Sequence, residues 1–269
     1  MAEAELNAVV AMKAEIAPGL FIIRVVPDAW PLPTFKSGQF AVLGLPASAP
    51  RIPRADPDDP ATSGLIRRAY SIASSSADRE YLEFYITVVS SGALTPRLAA
   101  LSVGERLWLG PKITGMFTLD EIPAGANLVM LATGTGLAPY MSMLRTHLMA
   151  GDERRFGVIH GARHSWDLGY HAELAMTQRL SPRFVYIPVV SLPSEEPVPW
   201  HGGVGYVQDI WATRPMDQRW GFGPRPEHTH VLLCGNPLMI EAMTKLLEFE
   251  GYREHKRNSP GQIHVEKYW

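Results

Sequence analysis

The pattern of apolar runs changes near Ile122–Gly125, and this change limits the folds that the chain can adopt. Before it, β-branched and aromatic runs such as Leu20–Val26, Gln39–Leu43 and Tyr81–Val89 are separated by Pro and Gly. Short strands with turn signals and little helical periodicity are typical of an antiparallel barrel. After the change, strand-like runs alternate with helical segments, which is typical of a parallel sheet with helices on both faces.

The sequence therefore predicts a β domain followed by an α/β domain. We expect an N-terminal antiparallel β-barrel over residues 1–122, with a long loop at about 46–66 and one helix opening at Thr95–Pro96. A C-terminal doubly wound parallel-sheet domain is expected over residues 123–269. Its predicted strands and helices are, in chain order, Asn127–Ala132, Pro139–Leu148, Phe156–His160, Gly169–Leu180, Arg183–Val190, Val231–Cys234, Pro237–Gly251 and Gln262–Val265.

Composition excludes several classes of protein. Lys plus Arg number 25 and Asp plus Glu number 27, which gives a net charge of −2 and no support for nucleic-acid binding. The single cysteine, Cys234, excludes an internal disulfide and an iron–sulfur cluster held by this chain alone. No apolar run approaches the roughly 20 residues of a membrane span, and the N-terminus shows no secretory signal. We expect a cytoplasmic protein with no membrane or nucleic-acid partner.

A glycine-rich turn, Gly134–Pro139, follows the first predicted strand of the second domain and opens a helix. Glycines let the backbone approach a pyrophosphate, and a helix start supplies N–H groups and partial positive charge. Pro139 stands where the dinucleotide-binding fingerprint has its third Gly. Taken alone, the turn therefore also fits an ordinary connection between a strand and a helix.

Two segments of the barrel are candidates for a second nucleotide. Arg68–Ser71 offers a guanidinium for phosphate, an aromatic ring for stacking and a hydroxyl for a ring nitrogen, although its spacing alone favours an ordinary strand. Gly92–Thr95 precedes the barrel helix and suits an anion, or else Thr95 simply caps that helix.

Four signatures occur in a fixed order: Arg68–Ser71, Gly134–Pro139, Cys234–Pro237 and the terminal Val265–Trp269. In this order and spacing, and over nearly the whole chain, the sequence resembles the FAD-containing bacterial ferredoxin–NADP(H) reductases. The resemblance implies a cytoplasmic flavoenzyme that exchanges hydride between NADP(H) and N5 of FAD. It further implies single-electron transfer with ferredoxin or flavodoxin, which must be a separate chain.

The resemblance also assigns contacts with FAD. It implies that Arg68 holds the pyrophosphate, that Tyr70 lies against the flavin and that Ser71 bonds near N5. Tyr85 is expected at the ribityl or adenosine part, and the backbone of residues 93–95 at the pyrophosphate. The implied FAD contacts are Arg68, Ala69, Tyr70, Ser71, Tyr85, Ala93, Leu94, Thr95, Thr135, Tyr268 and Trp269.

The terminal aromatic pair receives two distinct roles from the same resemblance. Tyr268 is expected to cover the isoalloxazine face where nicotinamide must land, and Trp269 to stack on the FAD adenine. An aromatic pair at a chain end is otherwise unusual, since free termini tend to fray. The residues implied in catalysis are Ser71, Cys234, Glu266 and Tyr268, with Glu266 and Ser71 in proton transfer.

Contacts with NADP(H) are implied for Gly134, Gly136, Ala162, Arg163, Tyr206, Gln208 and Asn236. Thr135 and the two glycines are expected at the pyrophosphate. Arg163 stands where the family has a residue for the 2′-phosphate, but Leu192 replaces a second expected arginine. Tyr206 and Gln208 resemble the plant-type arrangement around the adenine. We therefore expect NADPH to be preferred, with Arg163 carrying most of the discrimination.

Two alternatives stay open at this point. The departure at Leu192 also fits an NADH-dependent reductase of the same superfamily that serves an oxygenase or another acceptor. A nucleotide-binding regulatory module without turnover is the alternative of another class. His228-Thr229-His230 has no third ligand nearby in the sequence, so we interpret these as solvated loop histidines and predict no metal site.

Overall fold

The computed structural model describes residues 6–59, 61–148, 150 and 152–267. The chain divides into two compact units. The first runs to Thr118 and includes Ala138–Thr146, and the second comprises Leu119–Leu137 and the chain from His147 onward. The domain bounds predicted above, 1–122 and 123–269, stay a prediction.

The first unit contains a six-stranded antiparallel sheet. Its strands are paired in the order β4-β3-β6-β1-β2-β5, so β4 and β5 form the two edges. A bridge between Ile72 and Phe84 joins these edges and closes the sheet into a barrel. The elements are β1 (Ala8–Ala17), β2 (Leu20–Pro27), β3 (Phe40–Pro46), β4 (Leu65–Ser71), β5 (Leu82–Thr87), α1 (Thr95–Ala100) and β6 (Arg106–Leu109).

The long loop between β3 and β4 is tied to the segment around α1. Asp58 of this loop accepts hydrogen bonds from Arg51 and from Arg97 of α1. Arg97 is only 2 % exposed and also donates to the carbonyls of Ala93 at 2.6 Å and Ala47 at 2.5 Å. A buried guanidinium needs such partners, because an unpaired charge in the interior is costly.

The second unit contains a six-stranded parallel sheet in the order β10-β9-β8-β7-β11-β12. From β7 the chain builds outward to β10 and then returns to add β11 and β12 on the other side. The strands are β7 (Asn127–Thr133), β8 (Phe156–Ala162), β9 (Phe184–Val190), β10 (Gly203–Val204), β11 (Thr229–Cys234) and β12 (Ile263–Glu266). Ligands bind outside the carboxyl ends of the strands at such a reversal, here between β7 and β11.

In the described part of the chain, five α-helices follow α1: α2 (Ala138–Met143), α3 (His171–Leu180), α4 (Val207–Ala212), α5 (Pro215–Trp220) and α6 (Pro237–Phe249). A 3₁₀ turn at Gly134–Leu137 leads into α2, and a π turn at Leu144–Leu148 continues it. Among the described residues, no helix is long and apolar enough to cross a membrane.

The predicted fold class is confirmed, since an antiparallel sheet is followed by a parallel one with helices. The strands β1, β6 and β10 and the helices α4 and α5 were missed; most are short and carry little periodicity. Bounds also moved. The helix predicted from Gly169 begins at His171, because Tyr170 has a φ of 59° that no α-helix accommodates.

Candidate active site

The segment Arg68–Ser71 ends strand β4, where Leu43 pairs with Arg68 and Phe40 with Ser71. Alternation along a strand puts Arg68 and Tyr70 on one face. The Arg68 side chain is exposed, and its Nη1 donates to the carbonyl of Arg67 at 2.7 Å. Among the described residues it has no carboxylate partner, so the guanidinium is available to an anion.

Tyr70 is half-buried and packs against the core of the barrel, and this burial raises the pKa of its phenol. Ser71 is 6 % exposed. The bridge between Ile72 and Phe84 places Ser71 opposite Tyr85, which is 3 % exposed. The structure thus brings together two of the predicted FAD contacts that are 14 residues apart in sequence.

Ala93, Leu94 and Thr95 lie at the start of α1 as expected, but Thr95 does not cap its own helix. Leu94 occupies the cap position and makes no side-chain cap bond. The Thr95 Oγ1 instead accepts from the Val89 amide at 2.9 Å and donates to the Val89 carbonyl at 3.3 Å. The hydroxyl therefore closes the turn between β5 and α1.

These features fit a flavin nucleotide. An exposed guanidinium with no carboxylate partner in the described chain suits a pyrophosphate, and a half-buried aromatic ring on the same strand face suits a flat heterocycle. The residues that would hold FAD are therefore Arg68, Tyr70 and Ser71 with the turn at 93–95.

In the second unit, the glycine-rich turn after β7 and the Cys234–Asn236 segment after β11 interlock. A Cβ on Gly136 would lie 2.6 Å from the Cys234 carbonyl carbon, and one on Gly235 would lie 2.7 Å from the Thr133 amide nitrogen. Gly235 also has a φ of +138°. Both positions therefore require glycine, since a side chain would meet backbone that cannot move aside.

Thr133 is a residue of this edge that the sequence analysis missed. Its Oγ1 accepts a hydrogen bond from the Asn236 amide at 2.7 Å, and the Asn236 side chain accepts from Leu238 at the start of α6. A threonine at the end of an apolar strand gives no signal of such a role. It links the predicted contact Asn236 to the strand that precedes Gly134.

Ala162 is the last residue of the neighbouring strand β8, and Arg163 follows it directly. Backbone amides of Ser191 and Leu192 each donate at 3.0 Å, to the carbonyls of Ala162 and Arg163 respectively. The Arg163 side chain is exposed, and no partner for its guanidinium is found among the described residues. Arg163 therefore projects a free charge where the coenzyme is expected.

Acidic groups surround the neighbouring residue, His164. Its Nε2 lies 2.8 Å from Glu195 and its Nδ1 lies 3.1 Å from Asp167, and the hydrogen bond with Glu195 raises the pKa of the imidazole most. Both ring nitrogens are therefore engaged by carboxylates. No second arginine is supplied here, because Leu192 occupies the loop after β9.

Tyr206 and Gln208 lie at the start of α4, beyond β10. The Asp209 carboxylate accepts from the Tyr206 amide at 3.0 Å and so caps the helix. Tyr206 is 64 % exposed, so its ring is available for stacking. Gln208 lies in the first turn and is half-buried.

Cys234 and Glu266 pair in register at the ends of β11 and β12. Cys234 is fully buried and forms no disulfide. Glu266 is half-buried. The other two predicted residues of this end, Tyr268 and Trp269, lie outside the described residues.

His160 is a second residue that the sequence analysis did not single out. It lies in β8, two residues before Ala162, and is fully buried, which lowers the pKa of its imidazole to about 4.

The position of His230 corrects the interpretation of the HxH motif. The residue lies in β11 and its Nδ1 is 2.9 Å from Nε2 of His264, so it is not a solvated loop residue. Within the described chain, no group of three potential ligands is placed to hold a metal ion.

All predicted contacts of the second unit that the structure describes thus lie at the carboxyl edge of its parallel sheet. The family model for the oxidoreductase NAD-binding domain matches residues 130–245. The chain is also 33 % identical to the flavodoxin/ferredoxin–NADP reductase of Escherichia coli (strain K12), over 89 % of this chain and 90 % of that protein. This chain belongs to the flavodoxin/ferredoxin–NADP reductase family. The resemblance that the four motifs indicated is therefore confirmed.

Solved structures of this family and of related reductases extend the comparison. A ferredoxin NADP+ reductase from Neisseria gonorrhoeae, with bound FAD and NADP, is 25 % identical with a TM-score of 0.80, covering 99 % of this chain and 100 % of that one. Amycolatopsis cytochrome P450 reductase GcoB is 28 % identical with a TM-score of 0.73, covering 98 % of this chain and 69 % of that one. Members of this family are oxidoreductases, and this chain is one of them.

Proposed function

We propose that this protein transfers electrons between NADP(H) and a ferredoxin or flavodoxin that is a separate chain. The observation that carries the proposal is the interlocked pair of turns between β7 and β11. Gly136 and Gly235 have no side chain, so the two turns can approach closely at the reversal of strand order. A dinucleotide binds at this reversal in an open α/β sheet. Membership of the family supports the same activity.

FAD, when bound, supplies the exchange between a two-electron and a one-electron donor. Arg68 binds its pyrophosphate with an exposed guanidinium, and the turn at 93–95 adds backbone N–H groups. Tyr70 orients the ring system by stacking, and the buried Ser71 hydroxyl supplies a hydrogen bond beside it. Tyr85 lies opposite Ser71 on β5 and is proposed as a further FAD contact.

The second unit positions the coenzyme. Thr135 and the flanking glycines bind the pyrophosphate, Tyr206 stacks on the adenine with help from Gln208, and Arg163 pairs with the 2′-phosphate. Asn236, held by Thr133, orients the nicotinamide half. One guanidinium can bind a phosphate with two hydrogen bonds, so NADPH stays preferred despite Leu192.

Ser71 and Glu266 are proposed as the groups that hold and pass protons, and Cys234 as the residue that limits access at the end of β11. We further propose that Tyr268 covers the flavin and Trp269 stacks on its adenine. Tyr268→Ser is then expected to tighten binding of oxidised coenzyme and to give a visible charge-transfer band. An unchanged spectrum and affinity would exclude that role for Tyr268.

A second candidate function is an NADH-dependent reductase for an oxygenase or a related acceptor. The missing arginine at Leu192 and the carboxylates of Asp167 and Glu195 around His164 favour it. The likeness to cytochrome P450 reductase GcoB supports it as well. Arg163, with no carboxylate partner within the described chain, favours the first candidate.

The test measures FAD binding first and coenzyme choice second. Purified protein is expected to be yellow, to release FAD on denaturation and to be bleached anaerobically by NADPH faster than by NADH. Arg68→Ala is expected to weaken FAD binding. Arg67→Ala is the matched control, because the neighbouring guanidinium lies over the Trp108 ring, 4.5 Å from its centroid. A colourless protein that takes up no FAD on reconstitution would contradict the proposal, and faster bleaching by NADH would favour the second candidate.

A further inference from the structure

The barrel of the first unit contains a buried carboxylate at the seam where its edge strands meet. Glu83 on β5 is 1 % exposed, and Glu is almost never so buried unless it is paired. Its Oε2 accepts from Arg24 Nε at 2.7 Å, and its Oε1 accepts from Arg145 Nη1 at 2.6 Å. Arg24 is the cross-strand partner of Glu83, and its guanidinium lies over the Tyr81 ring, 4.6 Å from the centroid. The carboxylate is therefore held between two guanidinium groups, of which Arg24 is fixed by stacking.

Arg145 connects this carboxylate to the segment that follows β4. The same Nη1 donates to the Ala73 carbonyl at 2.9 Å, and the Ala73 amide donates to the Glu83 carbonyl at 2.7 Å. The next residue along, Thr146, accepts from the Ser76 amide at 2.9 Å. Residues 73–76 are thus bonded both to β5 and to the turn that follows α2.

The seam depends on side chains because its backbone pairing is sparse. Strands β3 and β4 pair over the whole of β4, whereas in the described part of the chain one bridge, between Ile72 just past β4 and Phe84 of β5, joins the two edges. Ala73 is two residues beyond Ser71, about 7 Å along an extended chain. A shift at the seam is therefore passed directly to Tyr70 and Ser71.

An ionic network is not needed here for stability alone. Well-packed apolar side chains of similar volume often stabilise an interior as well as a buried ion pair does. The network instead fixes the orientation of the side chains, because a guanidinium bonded to both a carboxylate and a carbonyl has one orientation. Misplacement of a contact residue by about 1 Å can lower a rate about a hundredfold.

We propose that Arg145 is a positioning residue for the flavin contacts. Acting through Glu83 and the Ala73 carbonyl, it fixes the segment that carries Tyr70 and Ser71. The proposal rests on the proposed function, because it presumes that Tyr70 and Ser71 contact FAD. It assigns to Arg145 a role in the geometry of the bound flavin, beyond holding the barrel closed.

The experiment compares Arg145→Met and Arg145→Lys with wild type at saturating FAD, using NADPH and ferricyanide as the one-electron acceptor. Arg145→Met is expected to lower kcat about tenfold, to leave KM for NADPH within about twofold and to change the visible circular dichroism of bound FAD. Lysine, which restores the charge and one hydrogen bond, is expected to recover part of kcat and of the spectrum. Arg106→Met is the matched control, since Arg106 pairs with Asp28 on the surface of the same unit at 2.5 Å.

The outcomes separate a positioning role from a structural one. Equal kcat and an equal flavin spectrum in Arg145→Met and Arg106→Met would overturn the proposal, whatever the loss of thermal stability. If Arg145→Met does not fold, Glu83→Gln provides the test, because it keeps the shape of the side chain and removes the charge. A normal flavin spectrum and kcat in Glu83→Gln would then overturn it. A wild-type protein that binds no FAD would contradict the proposed function instead.

Discussion

The two units hold their proposed cofactor contacts in place by different means. The first uses charged side chains, with Arg97 buried beside Asp58 and Glu83 held by Arg24 and Arg145. The second uses close backbone approach, because Gly136 and Gly235 let the ends of β7 and β11 interlock. A parallel sheet brings the ends of its strands to one edge by topology. In the barrel, the edge strands meet at the bridge between Ile72 and Phe84, and the ion pairs of Glu83 add side-chain bonds there.

The largest effect is expected from Gly136→Ala, which attacks the second unit at its closest backbone contact. The new Cβ would lie 2.6 Å from the Cys234 carbonyl carbon and 2.8 Å from the Gly235 Cα. Since these are backbone atoms, the strand ends must separate, and we expect a loss of about 4 kcal/mol in the free energy of unfolding. Urea unfolding measures it. Gly125→Ala is the control, as its Cβ meets nothing within 4 Å; equal losses would show that close approach is not what holds this edge.

Arg97→Met tests the corresponding anchor of the first unit. It removes hydrogen bonds to Asp58 and to the carbonyls of Ala93 and Ala47. We expect a loss of about 2 kcal/mol in the free energy of unfolding and weaker FAD binding, measured by urea unfolding and by FAD titration of the apoprotein. Arg106→Met, which breaks an exposed pair, is expected to cost less than about 1 kcal/mol. A cost no larger for Arg97 would mean that the first unit does not depend on its ionic anchors.

Acid is expected to weaken the second unit selectively, because the histidines whose pKa is lowered by burial all lie in it, namely His147, His160, His171, His230 and His264. Burial, with repulsion from His230 and His255, lowers the pKa of His264 to about 3. Within this cluster His255 also pairs with Glu121 at 2.6 Å. Above about pH 6.5 neither folded nor unfolded His264 binds a proton, so the stability is fully present. As the pH falls toward 3, His264 binds a proton in the unfolded chain but not in the folded chain, so the free energy of unfolding decreases.

The loss for one such histidine is at most about 1.4 kcal/mol per pH unit. His264→Gln is therefore expected to reduce the slope of unfolding free energy against pH between 6 and about 4. Hydrogen exchange resolved by segment measures the effect in each unit. His201→Gln, at an exposed position, is the control. A loss of protection that begins in the first unit would contradict the assignment.

The smallest effect is expected at Arg163, which tunes the choice of coenzyme. Arg163→Ala is expected to raise KM for NADPH about tenfold and to leave KM for NADH unchanged, because only NADPH carries the extra phosphate. Steady-state kinetics with both coenzymes measure it. Arg179→Ala, at the far end of α3, is the control. Equal increases in KM for NADPH and NADH would show that Arg163 shapes the loop and does not bind the 2′-phosphate.

The binding edge of the second unit is predictable from the sequence. The turns at Gly134–Gly136 and Cys234–Asn236 each follow a strand and open a helix, and parallel strands place such turns side by side. The pairing of Thr133 with Asn236 was not predictable, because a threonine ending a strand is compatible with any neighbour. The alternative that Thr95 caps its own helix is wrong for a related reason, since its hydroxyl bonds Val89 across the turn.

The amino-acid sequence alone predicts the order and kind of most of the elements, and it carries the motifs that identify the family. Local patterns carry this information, because alternation, helical periodicity and glycine turns are properties of short segments. Which charges become buried partners depends on the tertiary fold. Glu83 and Arg145 are 62 residues apart and Asp58 and Arg97 are 39 apart, and no local pattern marks such pairs. Burial decides them, because a charge that folding removes from water must find its opposite at that place in the fold.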